Sequence, residues 1–340
     1  NETCAAISMV YLFERMFLLH GESKYIDCME RTLYNGVISG MSMDGGRFFY
    51  PNPLSSDGKY AFNADNTKTR QPWFGCACCP SNLCRFIPSV PGYLYGVKGN
   101  NIYVNLFAGN TSTIKVNGKD VVLEETTEYP WNGDIKIAVK KSGVKNANLL
   151  VRIPGWVRNQ VVPSDLYKYS DAEKPAYSVT VNGKAVEADL DANKGYLPVK
   201  NIKKGDVIRI HFDMPVRTVV ANGKVADDKG KVAVERGPLV YCAEAVDNSN
   251  EPVLHAVMPE KPSFTLVDNY SIQNTETKGA PAFTVKAIVT SPAHIIYQKK
   301  EGVVAVDCTP LTLIPYYAWN HRGANQMNVW FYQGLSFMDK

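Results

Sequence analysis

The segment NIYVNLF (101–107) alternates apolar and polar residues, and DIKIAV (134–139) repeats the alternation. A period of two places apolar side chains on one face of a strand, so both segments predict strands of an antiparallel sheet. Two copies of Val-Asn-Gly-Lys, at 116–119 and 181–184, supply the dipeptide that a tight hairpin turn needs, because both central residues adopt positive φ. The chain after Gly96 is therefore predicted to be β-structure.

A second group of strands follows the first. It includes VAVERGPLVYCAE (232–244) and a closing segment, NVWFYQ (328–333). We interpret the two groups as two antiparallel β-sandwich domains, 96–220 and 221–340, and we leave open that a last strand near 328–335 returns to the first sandwich.

The first 95 residues have a helical pattern. Residues 4–19 are apolar on nearly every face, which predicts a helix buried within a larger helical assembly. Gly21 is expected to end this helix, and Ser23 is expected to cap a second one that runs over 23–38. One helical hairpin cannot bury such a helix, so we expect its partners in sequence that precedes Asn1 or in another chain.

A long irregular segment, 41–79, follows the hairpin and is rich in Gly, Asn, Pro and aromatic residues. Loops of that length inside a compact domain tend to be functional. Pro80 suits the first position of a third helix, 81–87, which Pro88 and Pro91 are expected to end. The fold class predicted is mainly β with an all-α N-terminal part.

The composition is that of an ordinary globular protein. The 340 residues are 45% hydrophobic and 21% charged, with 37 basic and 33 acidic residues and a net charge of +4. Without a long basic run, neither nucleic acid nor a membrane is indicated as a partner. Residues 1–20 lack the features of a signal peptide. A cytoplasmic or periplasmic location and a homodimeric assembly both stay open.

Cysteine is distributed unevenly along the chain. Four of the eight cysteines fall within nine residues, and GCACCPSN (75–82) holds three of them. With Glu2 and Cys4, this segment can make a tetrahedral zinc site, because zinc accepts thiolate sulfur at about 2.3 Å and carboxylate oxygen at about 2.0–2.2 Å. A closed structural zinc site, buried thiols, and a redox pair of Cys76 and Cys79 are the alternatives. We expect small core residues at four other positions: Cys28, Cys84, Cys242 and Cys308.

Six segments in this order resemble glycoside hydrolase family 127 and its relatives. They are ETCA (2–5), FFYPNPL (48–54), WFGCACCPSN (73–82), VRIPGW (151–156), ERGPLVY (235–241) and LIPYYAWNHRG (313–323). The resemblance implies an (α/α)6 barrel followed by two β-sandwich domains, with residues 1–95 as the C-terminal remnant of the barrel. It also implies a retaining β-L-arabinofuranosidase with a zinc-bound cysteine as nucleophile.

The same resemblance implies roles for individual residues. The first Cys of the CCP motif is the family's nucleophile and falls on Cys78, which is also a zinc ligand. The second falls on Cys79, and the ETCA motif supplies the remaining ligands, Glu2 and Cys4. Tyr50 matches a tyrosine that hydrogen-bonds near the reacting centre. Zn²⁺ is therefore the expected cofactor.

Three further questions concern a sugar-stacking aromatic residue, the acid/base residue and the histidines. Trp73 could stack on a sugar, with simple packing as the alternative. Family members carry the acid/base Glu and several sugar-binding histidines upstream of ETCA, and none is assigned in this chain. We expect its five histidines to be structural or surface residues: His20, His211, His255, His294 and His321.

The expected function is release of terminal β-linked L-arabinofuranose, or a related L-sugar, from a glycan or glycoprotein. Without an acid/base residue, the chain alone is expected to be poorly active, since general acid–base catalysis is worth about 10²–10⁴-fold. The alternative is a non-catalytic β-sandwich module that binds carbohydrate or a partner and carries a structural zinc. An exposed liganding thiolate would favour catalysis over this alternative.

Overall fold

The computed structural model describes residues 2–267, 270–272, 275–276, 281–289 and 309–334. Three α-helices occupy the N-terminal part of the described chain: α1 (Thr3–His20), α2 (Ser23–Arg31) and α3 (Cys78–Phe86). Nearly all the remaining regular structure is β, which confirms the predicted fold class. The described strands are β1 (Ser55–Asp57), β2 (Tyr95–Lys98), β3 (Asn101–Val104), β4 (Asn110–Val116), β5 (Lys119–Thr127), β6 (Asp134–Ser142), β7 (Asn148–Arg152), β8 (Tyr167–Tyr169), β9 (Tyr177–Val181), β10 (Lys184–Ala185), β11 (Tyr196–Val199), β12 (Val207–Phe212), β13 (Val216–Ala221), β14 (Lys231–Arg236), β15 (Leu239–Glu244), β16 (Val257–Met258), β17 (Phe264–Val267), β18 (Ser271–Ile272), β19 (Thr275–Glu276), β20 (Ala282–Ala287), β21 (Thr309–Pro315), β22 (Gln326–Asn328) and β23 (Phe331–Gln333).

Helix α1 ends as predicted, with Gly21 in the left-handed region donating its N–H to the Phe17 carbonyl. One face of the helix is buried, including Ile7 and Val10, whereas large apolar side chains on the other face are exposed. At 18 residues with a mean hydropathy of 1.2, α1 is long and apolar enough to cross a membrane, a test that a core helix of a soluble protein also passes. The exposed apolar side chains are Met9, Tyr11, Leu12, Leu18 and Leu19.

Helix α2 departs from the prediction at both ends. Ser23 does not cap it: Ser23 is the first helical residue, Glu22 takes the cap position, and the Ser23 hydroxyl accepts a hydrogen bond from Arg158. The helix gives way after Arg31 to a π-helical turn over Thr32–Val37 and then to a 3₁₀ turn over Ile38–Gly40. The spacing of apolar residues in the sequence does not distinguish a π-helical turn from a continuous α-helix.

Helix α3 begins at Cys78 rather than at Ser81, so Pro80 is its third residue. Proline is tolerated throughout the first turn because those N–H groups have no partner within the helix. The α-helix ends at Phe86, next to the predicted end at 87, and the chain continues as a 3₁₀ helix over Ile87–Tyr93 that contains Pro88 and Pro91.

Two sheets make the first sandwich. One has the strand order β10-β9-β12-β6-β5-β4 and the other β11-β7-β3-β2, and apolar side chains from both share one core. All pairs in these sheets are antiparallel except β3 with β7, which is parallel. The turns at 116–119 and 181–184 are confirmed, because each has Asn and Gly at positive φ.

The C-terminal sheet also contains strands from earlier parts of the chain. Its main path is β16-β23-β14-β15-β21-β20-β17. Strand β8 joins it by pairing with β13, and β1, from the N-terminal loop, joins it by pairing with β22. Strand β23 pairs with β14 and β16, so the described part of 328–335 lies in this group and does not return to the first sandwich. The partner strands β14 and β16 both lie after residue 220, on the C-terminal side of the predicted domain boundary.

Buried ion pairs join α2 to both β-regions. Arg152, at the end of β7, is fully buried and contacts Asp27 at 2.8 Å and Glu30. Arg31 contacts the buried Glu235 of β14. These ion pairs join α2 to both β-regions, and α1 also contacts the first sandwich directly through the rings of Phe17 and Tyr103.

Candidate active site

Four side chains converge near the start of two helices: Glu2, Cys4, Cys78 and Cys79. One ligand atom from each lies within 4.8 Å of all the others. The Cys4 and Cys78 sulfurs are 3.9 Å apart, those of Cys78 and Cys79 are 4.0 Å apart, and the Cys79 sulfur is 3.5 Å from Glu2 Oε1. Two sulfurs bound tetrahedrally at about 2.3 Å would be separated by about 3.8 Å. The donor set of three sulfurs and one carboxylate oxygen fits Zn²⁺.

Local structure explains why these residues can meet. Glu2 is the N-cap residue of α1 and Cys4 lies in its first turn, while Cys78 and Cys79 are the first two residues of α3. The first N–H groups of a helix have no acceptor within the helix, and a helix N-terminus is the positive end of the helix dipole. That environment favours thiolate over thiol.

The three thiols of the cluster differ in exposure and therefore in acidity. Cys79 is buried, and burial raises the pKa of its thiol. Burial also raises the pKa of Cys4. Cys78 is exposed, and its hydrogen bond with Tyr50 lowers the pKa of its thiol. Cys78 is thus the most accessible sulfur of the cluster and the one most easily ionised without a metal.

Tyr50 holds the segment that carries Cys78. Its hydroxyl accepts a hydrogen bond from the Cys78 N–H at 3.0 Å, and its one proton is shared between the Cys76 carbonyl and the Cys78 sulfur. Its ring meets Phe74 edge to face, with centroids 4.9 Å apart. Gly75, in the same segment, donates its N–H to the Asp65 carboxylate at 2.9 Å.

The remaining candidates lie outside the cluster. Trp73 is 58% exposed, which leaves its face open to a ligand, and its role stays a prediction. Cys76 is an exposed free thiol, and no disulfide joins Cys76 to Cys79 in the described structure. Glu2 also lines a cavity of 460 Å³ between α1 and the C-terminal sheet, which is mostly apolar and does not include Cys78.

The predictions for the other cysteines are only partly correct. Cys242 is buried and Cys28 is half-buried, but Cys84 is exposed. The prediction for Cys84 was wrong because its neighbours Leu83 and Phe86, and not Cys84 itself, occupy the inward face of α3. Cys308 lies outside the described residues.

The histidines fall where a structural or surface role would place them. His20, His211 and His255 are exposed, and His211 contacts Asp134 and Asp213. His321 is packed between the Met43 N–H and the Ala318 carbonyl. His294 lies outside the described residues.

Sequence reasoning missed the buried polar residues behind the cluster. Thr3, between two of the four candidate ligands, is fully buried, and Asn52 is 4% exposed and contacts it. Thr3 and Asn52 lie within the ETCA and FFYPNPL segments, but only Glu2, Cys4 and Tyr50 of these segments were predicted to be functional.

The described chain thus combines a helical segment, two β-rich regions and a cluster of three thiols and one carboxylate. Three family profiles match this chain in order: the β-L-arabinofuranosidase GH127 catalytic domain over 1–92, the GH127 middle domain over 101–214 and the glycoside hydrolase family 127 C-terminal domain over 216–332. The chain belongs to glycoside hydrolase family 127.

Relatives with known names agree with this assignment. A non-reducing end β-L-arabinofuranosidase of Bifidobacterium longum subsp. longum is 32% identical over 343 residues, covering 97% of this chain and 48% of that protein. The structure of a GH127 β-arabinofuranosidase has 50% identity and a TM-score of 0.87, covering 98% of this chain and 49% of that one. A GH127 β-L-arabinofuranosidase from Geobacillus stearothermophilus T6 has 33% identity and a TM-score of 0.82, covering 98% and 50%. The chain spans about half the length of the relatives it matches.

Proposed function

We propose that this protein is a retaining exo-glycoside hydrolase that releases terminal β-linked L-arabinofuranose, with the Cys78 thiolate as nucleophile. The single observation that carries the proposal is an exposed cysteine within a convergent set of three sulfurs and one carboxylate. The names of the relatives supply the sugar and the non-reducing end. Carbohydrate is accordingly the proposed substrate class.

Glu2, Cys4, Cys78 and Cys79 would hold a zinc ion. When bound, zinc supplies positive charge that keeps the thiols ionised at neutral pH. The buried Cys79 needs such compensation most, since burial alone disfavours its thiolate. The Glu2 carboxylate would supply the fourth ligand atom, an oxygen. A carboxylate oxygen is a weaker nucleophile than a thiolate sulfur, so Cys78 is the proposed nucleophile.

The roles of the protein's own residues follow from access and hydrogen bonding. The Cys78 sulfur attacks the anomeric carbon as the glycosidic C–O bond breaks, and a thioglycoside forms on Cys78. Water then attacks the same carbon and gives its proton to the solvent or to the group that protonated the leaving oxygen, the C–S electron pair returns to the Cys78 thiolate, and the sugar leaves with its original configuration. Tyr50 fixes the Cys78 backbone during both steps because its hydroxyl accepts the Cys78 N–H.

A retaining glycosidase also needs a proton donor for the leaving oxygen. The proposal assigns no residue of this chain to that role. The first test therefore uses β-L-arabinofuranosyl fluoride, because fluoride departs without protonation and the reaction reports on the nucleophile alone.

The measurement is peptide mass spectrometry of the zinc-loaded protein after rapid acid quench. We expect one pentosyl unit on Cys78, absent from Cys78→Ser and retained in Cys84→Ser, which removes an exposed thiol from the same helix. Zinc bound at one per chain without any pentosyl adduct would support the alternative, a non-catalytic module with a structural zinc. ¹H NMR of the first sugar released should show retention of the β-configuration.

A further inference from the structure

Thr3 lies between Glu2 and Cys4 and is fully buried. Its N–H donates to the Tyr50 carbonyl at 2.8 Å, and its hydroxyl lies 3.1 and 3.0 Å from the carbonyl oxygens of Phe49 and Tyr50. The peptide that carries two of the four candidate ligands is therefore bound along the segment 49–50.

Asn52, two residues after Tyr50, completes this contact from the other side. Its amide nitrogen donates to Thr3 Oγ1 at 3.0 Å and to the Gly36 carbonyl at 3.2 Å, and its oxygen accepts the Ser39 hydroxyl at 3.0 Å. The amide is 4% exposed, so water does not substitute easily for these partners. Thr3 is thus hydrogen-bonded to the Asn52 amide, whose nitrogen and oxygen both have further partners.

The packing around Thr3 leaves no room for another arrangement. A Cβ added to Gly40 would lie 2.6 Å from Thr3 Oγ1. The backbone at Gly40 therefore lies against the Thr3 side chain, and a larger residue at position 40 would force one of them to move. Displacement of Thr3 would disturb this contact.

The polar network continues to the C-terminal sheet. The Ser39 hydroxyl also lies 2.6 Å from the Asn35 carbonyl, so its one proton is shared between this oxygen and Asn52 Oδ1. The Asn35 side chain donates to the Pro238 carbonyl and accepts the Val240 N–H, each at 2.8 Å. Asn35 lies in the π-helical turn, so this irregularity brings its amide onto the turn between β14 and β15.

The segment 50–52 contacts both halves of the donor set. Its backbone and Asn52 hold Thr3, between Glu2 and Cys4, while the Tyr50 hydroxyl holds the backbone of Cys76 and Cys78. We propose that Asn52 and Thr3 are positioning residues that keep Glu2 and Cys4 in register with Cys78 and Cys79 and so set the affinity for zinc. This inference rests on the proposed function.

The test compares zinc affinity with the stability of the metal-free protein. Thr3→Val removes the hydroxyl and keeps the shape, and Asn52→Asp keeps the acceptor for Ser39 but removes the donor to Thr3. Zinc dissociation constants come from competition with a chromophoric chelator, and unfolding in urea with EDTA reports apo stability. Loss of partners behind a metal site typically costs about 10–100-fold in affinity, which is the weakening expected for both variants.

Two further variants separate positioning from general damage. Thr3→Ser restores the hydroxyl and should bind zinc within about threefold of the wild type, well below the loss expected when the partner is removed. Thr218→Val removes another buried threonine hydroxyl, which contacts Ser170 far along the chain, and should lower apo stability without changing zinc affinity. Cobalt spectra of the same proteins should lose thiolate charge-transfer intensity in Thr3→Val and Asn52→Asp only.

Unchanged zinc affinity in Thr3→Val and Asn52→Asp would overturn the inference, and so would an equal loss in Thr218→Val. If Thr3→Val does not fold, Asn52→Asp decides, because it conserves volume. Failure of the proposed function has a separate signature, since it would show in the wild type as absence of a zinc site or of a Cys78 adduct.

Discussion

The sulfur atoms of Cys4 and Cys78 lie 3.9 Å apart although 74 positions separate the two residues. Each belongs to the first turn of a different helix, so the fold and not local sequence creates the contact. A metal bound there would join the two helices. Its removal should therefore loosen both helix starts.

Substitution of the individual cysteines should separate metal binding from chemistry. Cys79→Ser places a hydroxyl at the buried ligand position, so we expect loss of zinc. Cys78→Ser should abolish sugar transfer to the protein while zinc is largely retained, because a hydroxyl is a far weaker nucleophile than a thiolate. Inductively coupled plasma mass spectrometry and the adduct assay measure the two properties. Equal zinc loss in both variants would argue for a structural zinc site.

Tyr50→Phe should reduce the reactivity of Cys78. The hydrogen bond with Tyr50 lowers the pKa of the Cys78 thiol, so its loss should raise that pKa and decrease the thiolate fraction near pH 8. We expect iodoacetamide to alkylate Cys78 of the zinc-free protein roughly 3–10-fold more slowly. Cys84 serves as the internal control, since it lies on the exposed face of α3 and should react at the same rate in both proteins.

The sequence and the structure agree best where a local cause determines the backbone. Asn117 and Gly118 adopt the positive φ that their turn requires, and Gly21 ends α1. The π-helical turn over Thr32–Val37 was not predicted, since the spacing of apolar residues there is also that of an α-helix. The start of α3 was misjudged because Pro80 is tolerated at any position of a first turn.

The candidate site was likewise predictable from the sequence only in part. Spacing within 76–79 indicated soft ligands but left a catalytic zinc, a structural zinc, buried thiols and a redox pair as alternatives. Glu2 and Cys4 were candidates because zinc accepts carboxylate and thiolate ligands, and the resemblance to family 127 then assigned them as ligands, since no local pattern joins them to Cys79 across the intervening chain. Asn52 was missed because its function depends entirely on a partner in another segment.

Glu30→Gln should destabilise the whole chain. Glu30 is 2% exposed and pairs with the fully buried Arg152, and Tyr129 donates a hydrogen bond to it at 2.9 Å. Removal of one partner leaves a buried charge poorly compensated, which costs about 3 kcal/mol. Urea unfolding measures the loss. The control is Glu124→Gln, which breaks an exposed pair with Lys140 and should change stability by about 0.5 kcal/mol or less.

His321 should make the protein less stable in acid. Burial, with a contribution from Arg70, lowers the pKa of His321 to about 4, whereas an unfolded histidine titrates near 6.5. The unfolded state therefore binds more protons between these values, and stability falls as the pH drops from about 6.5 toward 4. We expect about 1–2 kcal/mol less stability at pH 5 than at pH 7, and His321→Gln should remove this difference.

The opposite sign is expected for His211, which provides a control. Its contact with Asp134 raises the pKa of the imidazole. That contribution is complete below the unfolded pKa and is lost as the pH rises through the folded one. Urea unfolding in EDTA at pH 5 and 7 compares His321→Gln and His211→Gln with the wild type, and a decrease in acid that persists in His321→Gln would exclude His321 as its cause.

Zinc K-edge X-ray absorption of the metal-loaded protein tests the central claim most directly. The account predicts one zinc per chain with about three sulfur neighbours near 2.3 Å and one oxygen near 2.0–2.2 Å. Cys4→Ser should reduce the sulfur count by one, and Cys76→Ser should leave it unchanged. A spectrum of four sulfurs, a sulfur count that falls in Cys76→Ser, or failure to retain zinc after dialysis would contradict a site built from Glu2, Cys4, Cys78 and Cys79.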